Sequence, residues 1–216
     1  MVEKMLGLIE KSFSLSERDS GEYSSAKVGP MKFQIRYFDA AGLGRVSVMK
    51  GSAMFGLMKM DTLIVNPFAR DMALFSYDRI YAMGNDTIFL ELYDTRMDKS
   101  GLMEDIESVV SRYDDIPEQP VAPNWYDNIK LPGSLKKKGK KNITPRFDRL
   151  AQEYLNSFIE LVRQAPECDV RQKKKAAAVY TQGLLKNGGP STDQFVKAKG
   201  KEYTEYLFRN ILFGTE

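Results

Sequence analysis

Residues 71–95 read DMALFSYDRIYAMGNDTIFLELYDT, and the alternation inside this run sets the fold. Leu74 to Met83 is rich in aromatic and β-branched residues, Gly84, Asn85 and Asp86 supply turn chemistry, and Thr87 to Thr95 resumes strand composition. The spacing predicts a β-hairpin. A period of two puts Leu74, Ser76, Asp78, Ile80 and Ala82 on one face, and Phe75, Tyr77, Arg79, Tyr81 and Met83 on the other. Neither set is simply polar, so both faces are expected to be covered. A carboxylate in the middle of such a strand has to be paired, hydrogen-bonded or protonated, because an isolated buried charge is too costly to keep ionised. Asp78 is either a structural partner of a neighbouring group or a site of chemistry.

Outward from the hairpin, Val2, Leu6, Ile9 and Phe13 recur at helical spacing and predict an amphipathic helix ending near Ser14. Residues 15–31 are polar and read as loop, and Phe33, Ile35 and Tyr37 alternate as a strand does. The Met- and Gly-rich stretch GRVSVMKGSAMFGLMKM leaves strand and helix both open, and residues 39–60 can fold across a pocket. Thr62 to Val65 reads as a strand stopped by Asn66-Pro67. On the other side, Leu102, Ile106, Val109 and Tyr113 mark a helix. Pro117, Pro120, Pro123 and Pro132 mark an irregular connection. Thr144-Pro145 is expected to cap a long helix as its Ncap and first residue, with an apolar stripe through Phe147, Leu150, Tyr154, Leu155, Phe158, Leu161 and Val162. Asp169 is expected to cap the next helix, which ends at Asn187-Gly188-Gly189-Pro190, and shorter helices fill Ser191 to Phe213. Strands gather in the first half and helices at the start and in the second half. The simplest packing is a single domain over residues 1–216, an α/β fold with helices on both sides of a mostly antiparallel sheet.

Composition narrows the function classes. The chain has 216 residues, one cysteine, no histidine and a formal net charge of +3. One cysteine, Cys168, excludes an internal disulfide and a C-x-x-C motif. Without histidine there is no Ser-His-Asp or Cys-His catalysis and none of the usual zinc sites, so acid–base chemistry falls to Asp, Glu, Tyr or Lys. AGLGRVSV at Ala41 to Val48 lacks the third glycine of a dinucleotide fingerprint, and no phosphate-binding P-loop occurs. No stretch reads as a transmembrane helix or a signal peptide, which gives a cytoplasmic chain without a membrane partner as the expectation.

The net charge hides an asymmetry: acidic residues outnumber basic ones in residues 1–129, and basic residues prevail in 130–216. LKKKGKK at Leu135 to Lys141 reads as an exposed loop between Pro132-Gly133 and Asn142. A solvated charge run is its simplest meaning. The alternatives are an acidic protein partner, nucleic acid or an anionic membrane surface. No aromatics interleave these lysines, which disfavours nucleic acid.

Three stretches, in order, resemble the ferredoxin-dependent bilin reductases, whose relatives include red chlorophyll catabolite reductase. The strand ending in Asn66-Pro67, followed by Asp71-Met72-Ala73-Leu74-Phe75-Ser76-Tyr77-Asp78, is similar to the family's strand-proline and D-x-P-x-F-x-x-D pattern. Gly188-Gly189-Pro190-Ser191-Thr192 stands where the family has a substrate-contacting loop. Gly200 to Phe213, GKEYTEYLFRNILF, is similar to the closing FG-x-x-x-A-x-x-Y-x-x-x-x-LF. The resemblance implies a three-layer α/β/α sandwich that reduces a linear tetrapyrrole such as biliverdin, with electrons taken singly from an acidic ferredoxin, a radical course, and no cofactor of its own.

Under that resemblance Asp78 matches the family's central proton donor, kept protonated by an apolar pocket. Asp61 is the expected second acid, and Thr62, Ser76, Arg79, Asn187 and Gly189 are expected substrate contacts, with Asp193 near the loop as a further substitute. Lys136, Lys137, Lys138, Lys140 and Lys141, with the Lys173 to Lys175 cluster, are expected to dock the electron carrier. The sequence also departs from the family. Asp61 and Thr62 stand where some members have a histidine, Gly189 stands where several have an aspartate or asparagine, and Ala73 replaces the proline of D-x-P. Two other functions fit the same residues: a tetrapyrrole-binding protein without catalysis, and a basic adaptor for nucleic acid or an acidic protein.

Overall fold

A computed structural model describes residues 1–100 and 103–216. Its centre is an 8-stranded sheet whose pairings are all antiparallel. The strands are β1 (Leu15–Arg18), β2 (Ser25–Val28), β3 (Met31–Ala40), β4 (Gly44–Ala53), β5 (Met58–Pro67), β6 (Leu74–Ala82), β7 (Asn85–Tyr93) and β8 (Leu135–Lys140). From β3 to β8 spatial order follows chain order, while β1 and β2 share the outer edge of β3.

The predicted alternation of β6 divides the molecule. Phe75 and Tyr77 point into a core formed with α1 (Val2–Glu10), α2 (Glu104–Ser111) and α3 (Thr144–Gln164), where Phe75 packs on Tyr154 and Phe158 at ring separations of 5.6 and 5.1 Å. Burying each such side chain contributes roughly 1.5–3 kcal/mol. Leu74 points the other way, into a second core with α4 (Val170–Asn187) and the π-helical turn Leu207–Leu212. Phe195 of α5 (Pro190–Lys199) joins that core, and α6 (Lys201–Tyr206) leads into the π-helical turn. Helices therefore cover both faces in an α/β/α sandwich.

Several local expectations change. The β6–β7 turn is Met83-Gly84, both at positive φ, so Asn85 and Asp86 belong to β7. This is the backbone of a primed two-residue turn, whose twist matches the strands. Residues 15–31 hold β1 and β2, because their polar side chains face solvent at a sheet edge. Residues 39–60 do not fold across a pocket: they run from the end of β3 through β4 into β5, joined by turns, and lie within the sheet. Helix α1 stops at Glu10, before Ser14. Thr144 is already helical and does not cap α3: its hydroxyl donates to Asp86 and accepts from Tyr81. Asp169 does cap α4, accepting from the Gln172 backbone amide at 2.8 Å. Leu102 of the predicted second helix lies outside the described residues; Ile106 and Val109 are buried on α2, and Tyr113 is buried just beyond it.

Candidate functional site

The sheet face that carries Asp78 is not fully covered. Between it and α4, α5 and the π-helical turn lies a cleft of about 380 Å³, a volume typical of small-molecule sites. Met49, Met60, Ile64, Ile80 and Phe89 give its sheet side an apolar floor. Tyr126, Tyr180, Leu184, Phe208, Leu212 and Phe213 give it apolar and aromatic walls. Asp78 stands in that floor.

The register fixes its neighbours. Thr62 is directly opposite Asp78 on β5, and its hydroxyl lies 2.5 Å from Asp78 Oδ1 and donates to it. Burial pushes the Asp78 carboxyl up to about 6, the Thr62 and Ser76 hydroxyls oppose that rise, and the charge of Glu91 adds to it. A carboxyl in this position holds a proton close to neutrality and can release it to a bound molecule.

Glu91 is a cleft residue that sequence reasoning missed. It sits opposite Ser76 on β7, diagonal to Asp78 on the same face. It is buried, accepts from the Tyr93 hydroxyl at 2.6 Å, and pairs with Lys130 at 2.8 Å and Lys136 at 3.6 Å. Lys130 also binds Asp127 at 2.7 Å. Burial works against its charge, yet the hydrogen bonds to Asp127 and Glu91 hold Lys130 above the ordinary lysine range. Burial and the neighbouring Lys130 lower the Lys136 ammonium. The alternation that marks Asp78 also puts Thr87, Phe89, Glu91 and Tyr93 on its face, so extending it one strand further finds Glu91.

The rim comes from the proline-rich connection. Residues 125–129 form a short 3-10 turn opened by a capping box, with Asn124 N donating to Asp127 Oδ2 at 2.7 Å. This turn presents Tyr126 to the cleft, and Trp125 Nε1 donates to Gly188 O at 2.9 Å, tying the rim to the end of α4. Tyr180 of α4 stacks on Tyr93 at 4.2 Å. Asn124-x-x-Asp127 beside a Trp-Tyr pair was the available signal for this segment.

The remaining expected residues divide. Thr62, Ser76, Gly189 and Lys136 line the cleft together with Asp78. Asp61 does not reach it: one residue from Thr62, it points to the opposite face and pairs with the N-terminal ammonium at 3.4 Å. Arg79 likewise faces away, fully buried, with both carboxylate oxygens of Asp86 at 2.5 and 2.6 Å and Asp148 at 3.0 Å. It is an interlayer ion pair and no ligand contact. Asn187 and Asp193 are exposed and outside the cleft lining, because α4 ends before the chain turns inward at Gly189.

The lysine run is strand β8 rather than a loop. Alternation sends Lys136 to the cleft and Lys137 to the other face, where it is buried against Ile116 O at 3.0 Å and Glu118 at 2.8 Å. Lys137 is therefore no docking group; Lys138, Lys140 and Lys141 are exposed. Lys173 is also withdrawn from the surface, donating to Met72 O at 2.7 Å and Thr95 O at 2.6 Å beside Asp71. Among the described residues no cluster of His, Cys, Asp and Glu is arranged to hold a metal.

No protein-family model matches the sequence, and no curated protein matches it by sequence. Solved structures do match. A phytochromobilin synthase from tomato, solved in complex with biliverdin, superposes with a TM-score of 0.81 at 13% identity, over 99% of this chain and 82% of the synthase. The two share one fold. The α/β architecture read from the hairpin is thereby seen in a second, distantly similar sequence, and that synthase holds biliverdin.

Proposed function

We propose that the chain is a reductase of a linear tetrapyrrole, or of a similar planar conjugated acid, that takes electrons singly from an acidic ferredoxin-like carrier and supplies protons from Asp78. One observation carries the reading: a carboxyl pushed up to about 6 stands in the apolar floor of a cleft, on a fold shared with a biliverdin-binding synthase. The sequence resemblance to bilin reductases points the same way.

Reduction of one double bond consumes two electrons and two protons. The electrons come from the carrier, and the bound conjugated system accepts them, so no further redox group is required of the protein. Asp78 gives its proton as the first electron arrives and regains one from solvent before the second step. Thr62 positions the carboxyl, and Lys136 faces the cleft as a partner for an acidic substituent of the ligand. With Asp61 on the other side of the sheet, Asp78 is the acid assigned to donation.

The test is an anaerobic absorbance titration of the purified protein with biliverdin, followed by addition of reduced ferredoxin, in wild type and Asp78→Asn. The reading expects a stoichiometric complex with a shifted spectrum, a transient radical in wild type, and binding without turnover in the variant. A spectral change on binding with no reaction under reducing conditions supports a binding protein instead. Absence of a complex removes biliverdin as the ligand.

A further inference from the structure

One end of the sheet carries a second surface that the cleft does not use. The turn Met54-Phe55-Gly56-Leu57 joins β4 to β5, the turn Met83-Gly84 joins β6 to β7, and Met58 pairs directly with Ala82, so both turns leave the sheet at the same end. Two strand spacings separate them, about 10 Å. Phe55 is 111% exposed and Met83 89% exposed, and Met54 and Leu57 are exposed beside them.

These side chains are doubly out of place for a turn in water. Met54, Phe55 and Met83 have φ of 51°, 55° and 51°, a left-handed conformation that Gly, Asn and Asp adopt at far lower cost than bulky apolar residues. They bear that strain and also stand in solvent, with no packing in return.

The exposed charge on the strand ends and turns beside them is basic, while Glu118 at the β8 edge and Asp148 on α3 are the nearby acids, each already paired with Lys137 or Arg79. Lys27 and Lys32 flank the end on the β2–β3 side, and Lys59 stands two residues after Leu57. Lys138, Lys140 and Lys141 flank it on the β8 side, with the Lys141 amide donating to Gly84 O at 3.1 Å and Lys140 Nζ to Asn85 Oδ1 at 3.0 Å. All of these lysines are exposed. In the strand ends and turns named here the one acid is Asp86, which is buried and paired with Arg79. The opposite end mixes signs, as in Asp39 with Arg18 and Arg45, and Asp94 with Arg96 and Lys99.

We infer that this end docks on an anionic lipid bilayer, with Phe55, Leu57, Met54 and Met83 entering the headgroup region and the lysines lying over anionic headgroups. Protruding apolar tips inside a lysine ring fit a fluid interface, which accepts them without a preformed pocket; a protein partner would need a separate recess for each turn. The contact is peripheral, since no helix among the described residues is long and apolar enough to cross a membrane. Met60 and Ile80, just inside the two turns, line the cleft, so a docked molecule would hold the cleft near the interface. The inference is independent of the proposed reductase activity.

The test is co-sedimentation of the intact protein with vesicles of phosphatidylcholine alone and of phosphatidylcholine with phosphatidylserine. The partner variants are Phe55→Asn with Met83→Asn, which relieve the turns while removing the apolar tips, and Lys140→Gln with Lys141→Gln. Wild type is expected to sediment with the phosphatidylserine vesicles and to be released by salt, losing about fivefold in affinity for each lysine neutralised. The Asn pair is expected to lose binding while its melting temperature stays level or rises. Three results overturn the inference: no binding to anionic vesicles at low salt, equal binding by the Asn pair, or capture of an acidic iron–sulfur protein by this face without any vesicle binding.

Discussion

Thr62 donates to Asp78 across the β5–β6 pair at 2.5 Å, which makes the hydroxyl the chief brake on the carboxyl's upward shift. Thr62→Val removes a hydrogen bond that favours the ionised form. Asp78 should then titrate above about 6, and carboxyl-labelled NMR or difference infrared spectroscopy would read the change. An unchanged titration would mean that Thr62 does not govern the proton.

The same shift predicts a pH-dependent stability. The folded carboxyl sits at about 6, against about 3.9 for an aspartate free in water. Above pH 6 both states are ionised and the fold bears the full cost of the buried charge. As pH falls through 6 the native state protonates first, and below the unfolded value the cost is gone. Asp78→Asn should therefore be more stable than wild type at pH 7.5, by on the order of 2 kcal/mol, with the difference vanishing toward pH 4. Urea melts at several pH values would measure it.

Arg79 is expected to be structural. Arg79→Met leaves the fully buried Asp86 carboxylate without its bidentate partner, and losing one member of a buried pair costs about 3–5 kcal/mol. Denaturant melts should show that loss, while ligand affinity at low temperature stays within about twofold, since the guanidinium lies on the far face of the sheet.

Gly183 faces the indole of Trp125 so closely that a Cβ there would stand 2.2 Å from the ring. Gly183→Ala should displace the rim turn, break the Trp125–Gly188 hydrogen bond of 2.9 Å and shift the fluorescence of the chain's one tryptophan. Ligand affinity should fall by about tenfold, since Tyr126 moves with that turn.

Strong local signals made the fold legible. The period-two alternation of β6 placed Asp78 and Arg79 on opposite faces, as they lie, and the α3 stripe named most of the residues it buries. Reading failed where pairing rather than pattern decides. Lys136 to Lys140 carry no strand propensity, and β8 exists because β7 offers an open edge and Lys137 finds Ile116 and Glu118. Met54 to Leu57 form a turn despite their composition. Half of the site was visible in the same way: Asp78 and Thr62 follow from one strand pair, whereas Tyr126, Lys130 and Tyr180 arrive from distant segments. Asp61 was misplaced by a single residue, which on a strand reverses the face.

The most direct measurement is the single-turnover rate of biliverdin reduction by reduced ferredoxin as a function of pH, in wild type and Asp78→Asn. Donation from Asp78 predicts a wild-type rate that falls about tenfold per pH unit above about 6, and a variant that binds biliverdin but is slower by about 100-fold or more at pH 6. Equal rates and equal pH profiles in the two proteins would contradict the role assigned to Asp78.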